Sequence, residues 1–182
     1  MFIAIEGGDG AGKSTLCAVL SSELGATQYA TPPKKYLAFR ERVDKDAPPK
    51  EHYHFYRDGI YDASNEIQLI LTGGGKVVSD RYWLSTYTYH QVMGAEVSVD
   101  DFKSIVLPTL TVILSLNKDI QIGRMLRRGM STGDRRMLAQ QQELASAFYR
   151  NALEFNIPFM VIDTQKFSPE ACSEIVMKAL DL

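Results

Sequence analysis

Eight residues near the start, Gly7-Gly8-Asp9-Gly10-Ala11-Gly12-Lys13-Ser14, constrain this chain more than any other stretch. They match Gly, four residues, then Gly-Lys-Ser, the spacing of a phosphate-binding loop. At average glycine and lysine usage, a chance match in 182 residues is rarer than roughly one in a hundred. The context agrees. Phe2-Ile3-Ala4-Ile5 reads as a buried strand before the loop, and Leu16, Val19, Leu20 and Leu24 lie on one helical face after it. Gly7, Gly10, Ala11 and Gly12 let backbone amides approach an anion, and the helix opening near Lys13 points its dipole at the same place. Lys13 supplies a point charge for the β and γ oxygens of a nucleotide, and Ser14 a hydroxyl for Mg²⁺. Asp9 and Thr15 complete the predicted nucleotide-binding set.

The rest of the chain alternates strand and helix. Strands are predicted at 27–30, 76–79, 111–116 and 159–162, with a basic helix over 118–129, a long helix over about 134–155 and a last one over 169–180. Residues 31–52, with prolines at 32, 33, 48 and 49, read as the least regular part. Helix resumes by Asp58, with Ile60, Ala63, Ile67 and Ile70 on one stripe, and Gly73-Gly74-Gly75 stops it in a turn. The alternation predicts a single α/β domain over 1–182, a P-loop NTPase of three α/β/α layers. Its sheet would have five parallel strands, with a helical lid over about 124–137.

Bulk properties narrow the partners. A net charge of −2 argues against nucleic acid or an anionic membrane held by bulk electrostatics, and no apolar run is long enough to span a bilayer. The chain opens without a basic signal region, so a cytoplasmic location is expected. Cys17 and Cys172 read as small buried hydrophobes, and three histidines, at 52, 54 and 90, are too scattered for a zinc site.

A regulatory GTPase would read guanine with Asn-Lys-x-Asp. Asn117-Lys118-Asp119 puts the acid one residue early, which suits a helix cap. A motor would be longer. A kinase of small molecules, with ATP as donor, remains. At Asp80-Arg81 a predicted strand ends in an acid and a cation, where strand C-termini line the ligand crevice. Asp80 is placed to act on Mg²⁺, and Arg81 to grip an acceptor phosphate. Arg124, Arg127, Arg128, Arg135 and Arg136 fall within thirteen residues, and in an acidic chain with a phosphate loop they read as a lid that neutralises phosphate oxygens.

These residues carry a resemblance. Glu6 to Ser14 looks like the opening of thymidylate kinases, and Asp80-Arg81-Tyr82 with Ser85 and Tyr89 is similar to that family's Asp-Arg-Tyr…Ser…Ala-Tyr signature. Leu107-Pro108-Thr109-Leu110 stands where the family has Pro-Asp-Leu, Gly133-Asp134-Arg135 resembles its lid, and Val161-Ile162-Asp163-Thr164 the segment that passes the adenine. The resemblance implies transfer from ATP to dTMP with Mg²⁺, nucleotides as small-molecule partners, and a homodimer. It makes Asp9 the acceptor of a hydrogen bond from the sugar 3′-hydroxyl, and Arg81 the holder of the acceptor phosphate with Ser85 beside it. Tyr53 or Phe55 would stack on the base, Arg57 contact it, and Tyr89 crowd the 2′ position. Arg124, Arg128 and Arg135 would belong to the lid, with Lys13, Arg81, Arg128 and Arg135 the catalytic set.

Two departures lie on the acceptor side. Thr31-Pro32-Pro33-Lys34 replaces the family's Arg-Glu-Pro-Gly-Gly, leaving Lys34 or Lys35 to stand in for its arginine, and His90 replaces a glutamine and is expected at the pocket edge. A kinase of the same fold for another acceptor is the alternative, in which Asp80 or Glu6 would serve as base if that acceptor is a nucleoside. A nucleotide-binding switch without turnover is the third reading.

Overall fold

The computed structural model describes residues 1–182. Five parallel strands, β1 (Phe2–Gly7), β2 (Thr27–Ala30), β3 (Val77–Asp80), β4 (Leu110–Ser115) and β5 (Phe159–Asp163), pair in the order β2-β3-β1-β4-β5. Eight α-helices connect and cover them: α1 (Lys13–Leu24), α2 (Leu37–Asp46), α3 (Pro49–Thr72), α4 (Trp83–Val92), α5 (Lys118–Arg128), α6 (Thr132–Met137), α7 (Gln141–Glu154) and α8 (Pro169–Ala179).

Period-two alternation in β1 divides the core. Phe2 and Ala4 face a cluster with Ile60 and Ile67 of α3, Leu84 of α4, and Leu144 and Phe148 of α7. Ile3 and Ile5 face the opposite cluster with Leu16 and Leu20 of α1 and Val176 of α8. A sheet buried on both faces needs continuous apolar strands, and β1 and β4 supply them. Both cysteines are buried, as expected for small hydrophobes. No helix is long and apolar enough to cross a membrane.

The chain leaves β1 toward β2 and leaves β3 toward β4, in opposite directions from two adjacent strands. Such a switch point opens a crevice beyond the strand C-termini, here between the loop after Gly7 and the one after Asp80.

Two expected stretches differ. Residues 31–52 are largely helical, because their prolines stand at helix boundaries and not inside. Pro48 caps α3 and Pro49 is its first residue, where a missing N–H costs no hydrogen bond. The helix expected over about 134–155 is broken. Ser131 and Asp134 form a reciprocal capping box that starts α6 at Thr132, and a 3₁₀ turn over Leu138–Gln140 separates it from α7. The side chain of Gln141 donates to the Met137 carbonyl (3.1 Å) and accepts from Gln121 (2.6 Å), which fixes the turn against α5.

Candidate active site

The loop after β1 turns as its glycines require. Gly7 has φ +128°, and a Cβ there would lie 2.5 Å from the Leu114 carbonyl oxygen, so β4 excludes any side chain. Below the loop, Gln121 donates to the Asp9 carbonyl at 2.6 Å, so α5 and α7 buttress the turn through the Gln121–Gln141 pair. Lys13 opens α1 with only 7% of its surface exposed, and its Nζ donates to Gly8 O at 2.6 Å. Burial, then repulsion from Arg81, brings its amine down to about 8. The Ser14 hydroxyl donates to the Asp80 carboxylate across the crevice. Asn117 caps α5 through the Asp119 amide (2.9 Å), so its side chain serves the helix start and reads no base.

Arg81 stands in the left-handed region at φ +68°, a conformation unusual for a side chain of this size, held by its side-chain contacts. Its guanidinium donates to Gly7 O (3.0 Å), Ser85 Oγ (3.1 Å), Tyr89 OH (3.0 Å) and the Asp9 carboxylate, and lies over the Tyr89 ring. Tyr89 OH in turn donates to Asp9 at 2.8 Å. Burial alone would raise the Asp9 carboxyl, but the charges of Arg81 and Lys13 hold it well below the usual range. Asp9, Arg81, Ser85 and Tyr89, distant in sequence, therefore form one bonded set.

Glu6 supports this set from beneath. It is fully buried, accepts from the Tyr82 and Ser85 amides (3.0 and 3.3 Å) and from the Ser85 hydroxyl, and lines neither cavity described below. Burial pushes its carboxyl up to about 7. A raised carboxyl makes the unfolded state ionise first, so Glu6 contributes stability that is full below about pH 4.5 and lost as pH rises through 7. His90, held neutral by burial and lowered to about 3, gives the opposite slope below its ordinary value. The quantity to measure is therefore the difference between wild type and Glu6→Gln in urea melts from pH 4.5 to 8. Wild type should lose about 3 kcal/mol relative to the variant across that span, and parallel curves would refute it.

Two cavities meet at Asp9 and Arg81. A wide cleft of about 1170 Å³ runs over Gly10, Ala11, Gly12, Lys13, Ser14 and Thr15 to Asp80, Arg124, Arg128 and Arg135. A narrow pocket of about 90 Å³ runs from Ser85 and Tyr89 to His52, Tyr56 and His90. Arg124 reaches the Thr164 carbonyl (3.4 Å), and the Thr164 hydroxyl donates to Ala11 O (2.9 Å), which places the loop after β5 beside the phosphate loop. Arg128 donates to the buried Asp134 at 2.7 Å, while Arg135 stands exposed on the cleft wall. Arg127 lines neither cavity, and Arg136 leaves the wide cleft to donate to Asp44 O at 3.1 Å, tying α6 to the end of α2.

Four expectations about the acceptor side need correcting. Tyr53 is 2% exposed and sits in the core, donating to Asp101 at 2.7 Å, and it does not line the pocket. Phe55 packs on Tyr36, and Arg57 turns away to Asp58 (2.9 Å). Lys35 pairs with Asp62 at 2.9 Å, and neither it nor Lys34 lines either of these two cavities. The pocket is instead walled by residues not singled out: Arg40, Asp44, His52 and Tyr56. Helical phase along α3 could have found His52 and Tyr56, but not Arg40 and Asp44 of α2. The stripe Ile60–Ile67 carried back seven residues lands on Tyr53, so Tyr53 belongs to the core, and His52 and Tyr56 share the neighbouring face. His90 is buried in the wall and not at its edge, bonded to Thr86 O (2.6 Å) and to His52 (2.7 Å).

Comparison with known proteins agrees with this geometry. The family model described as thymidylate kinase matches residues 5–175. A thymidylate kinase of Leptospira borgpetersenii serovar Hardjo-bovis is 30% identical over 166 residues, covering 82% of this chain and 80% of the relative. Among solved structures, thymidylate kinase from Candida albicans superposes with a TM-score of 0.81 at 16% identity, over 99% of this chain and 90% of that one. Deoxyadenosine kinase from M. mycoides with bound dATP gives 0.73 at 20% identity, over the whole of both chains. With that family's model matched across residues 5–175, this chain belongs to the thymidylate kinase family.

Proposed function

We propose that this protein transfers the γ-phosphoryl group of ATP to dTMP, giving ADP and dTDP. The observation that carries the reading is the pair of cavities joined at Asp9 and Arg81, a phosphate loop on one side and a narrow, aromatic-walled pocket on the other. In the reaction the bond between the γ-phosphorus and its bridging oxygen breaks, and a bond to an acceptor phosphate oxygen forms. That oxygen is already ionised, so no general base is required and catalysis is positioning and charge neutralisation. The two candidate bases at the strand ends are both occupied, which supports this: Glu6 is bonded to Tyr82 and Ser85, and Asp80 is engaged with Ser14.

Gly7, Gly10, Ala11, Gly12, Lys13, Ser14 and Thr15 would hold the donor phosphates, with Arg124 toward the adenine side. Ser14 and Asp80 offer one hydroxyl and one carboxylate on the crevice, hard oxygen donors that suit Mg²⁺ sharing its remaining positions with phosphates and water. Bound there, Mg²⁺ would neutralise charge on the donor phosphates. Arg81 would trade Tyr89 or Asp9 for an acceptor phosphate oxygen, with Ser85 beside it, and Asp9 would take the sugar 3′-hydroxyl. Arg128 and Arg135 would meet the transferring group when the lid closes. A homodimer belongs to the same reading, and light scattering of the purified chain measures it.

Tyr89 tests the sugar. Its ring walls the narrow pocket and its hydroxyl is held by Asp9 and Arg81. A ribose 2′-hydroxyl would clash with the ring or be buried unpaired at about 1–3 kcal/mol, so dTMP should exceed its ribose counterpart in kcat/KM by at least roughly tenfold. Tyr89→Phe should keep that preference and Tyr89→Ala should relax it. An unchanged preference in Tyr89→Ala removes Tyr89 from the sugar site.

A further inference from the structure

A phosphoryl group moving between the two cavities must pass the wall they share. Two cationic side chains line both of them, Arg81 and Arg40. All four terminal N–H groups of Arg81 are engaged by protein acceptors. Arg40 is arranged the opposite way. Its Nε donates to Tyr56 OH at 3.1 Å and lies 3.4 Å from Asp44 Oδ2, while neither terminal nitrogen bonds to the protein. Its side chain is 43% exposed, and it sits close enough to Arg81 for the two cations to repel.

The anchor below Arg40 is rigid. Asp44 is buried and takes Tyr56 OH at 2.6 Å and His52 Nε2 at 3.2 Å, with Arg136 of α6 on its backbone carbonyl. Burial works against its charge, but the bonds from His52 and Tyr56 and the charge of Arg40 keep the carboxyl below its ordinary value. A guanidinium held at Nε with its outer fork free is a preorganised partner for a phosphate, and an anion placed at the junction would meet both cations at once.

The geometry points to Arg40 of α2 as a second phosphate-gripping residue, which holds the acceptor phosphate against Arg81 at the junction of the cavities. This rests on the reading of the narrow pocket as the site of a nucleoside monophosphate. It also supplies, from a helix, the arginine that the segment 31–35 lacks.

The test is titration calorimetry of the whole chain with dTMP and with thymidine, which differ only in the phosphate. Wild type should bind dTMP more tightly. Arg40→Ala should lose tenfold or more in dTMP affinity while thymidine binding stays within twofold, and Arg40→Lys should recover only part of the loss because one ammonium cannot keep the anchor and present a fork. Tyr56→Phe, which keeps the ring but frees Nε, should shift dTMP binding the same way by a smaller factor. Equal loss for dTMP and thymidine in Arg40→Ala would make Arg40 structural, and a dTMP preference undiminished in both Arg40→Ala and Arg40→Gln would overturn the proposal alone. A wild type with no preference for dTMP over thymidine would remove the monophosphate reading and this proposal together.

Discussion

Lys13→Ala should lower kcat by a hundredfold or more with little change in fold. Its ammonium is the one lysine charge inside the phosphate loop, and its bond to Gly8 O keeps it aimed along that loop before any nucleotide binds. Preorganised charge in a partly dehydrated site is worth far more than a charge in water, and loss of one such donor costs on the order of 10²–10³ in rate. The folded state loses less. Lys13 is buried against its own charge, so removing it relieves a desolvation penalty while freeing one carbonyl. Steady-state kinetics with saturating ATP, beside a urea melt, separates the two effects. Turnover near wild type would show that the loop does not hold the transferring phosphates.

Arg81→Lys should be nearly as damaging as Arg81→Ala, each lowering kcat/KM by roughly two orders of magnitude or more. A planar fork makes the simultaneous bonds to Gly7 O, Ser85, Tyr89 and Asp9, and a single ammonium cannot reach them all. Either substitution also strands Asp9, whose ionised form depends on this neighbour, and breaking such a pair costs about 3–5 kcal/mol when it is fully buried. Kinetics must therefore be measured well below the variants' melting temperatures. A lysine variant with wild-type kcat/KM would mean that charge alone matters at this position.

These effects follow from parts of the molecule that differ in how legible they were. The phosphate loop was readable because its chemistry is local: eight consecutive residues, one strand before and one helix after. Asp80 and Arg81 were readable because a strand end is recognisable and strand ends line the crevice. The arginines between 124 and 136 were visible as a charge run, yet their individual tasks were not. Arg128 bonds Asp134, Arg136 holds α2, and Arg127 lines neither cavity, which depends on a break at Leu138–Gln140 held by one long-range bond from Gln121 to Gln141 and one local bond from Gln141 to Met137 O.

The acceptor wall was the least legible part. Asp44, Tyr56, His52 and His90 form a chain of bonds across three helices, with partners up to 38 residues apart. No spacing rule marks such a set. The prolines at 32, 33, 48 and 49 hid α2 because proline at a helix boundary looks, in sequence, like proline in a loop. Tyr53 illustrates the remaining error. Family position pointed it at a base, while helical phase with Ile60 and Ile67 put it in the core, and phase prevailed.

The central claim is transfer to a nucleoside monophosphate, and ADP release from ATP and Mg²⁺ over a panel of acceptors tests it most directly. The panel pairs thymidine with dTMP, deoxyadenosine with dAMP, and dTMP with its ribose counterpart. We expect dTMP to be the preferred acceptor, thymidine to be inert, and ADP to form in step with dTDP. Preferred phosphorylation of an unphosphorylated nucleoside, or no acceptor-dependent ADP release from the whole panel, would contradict it.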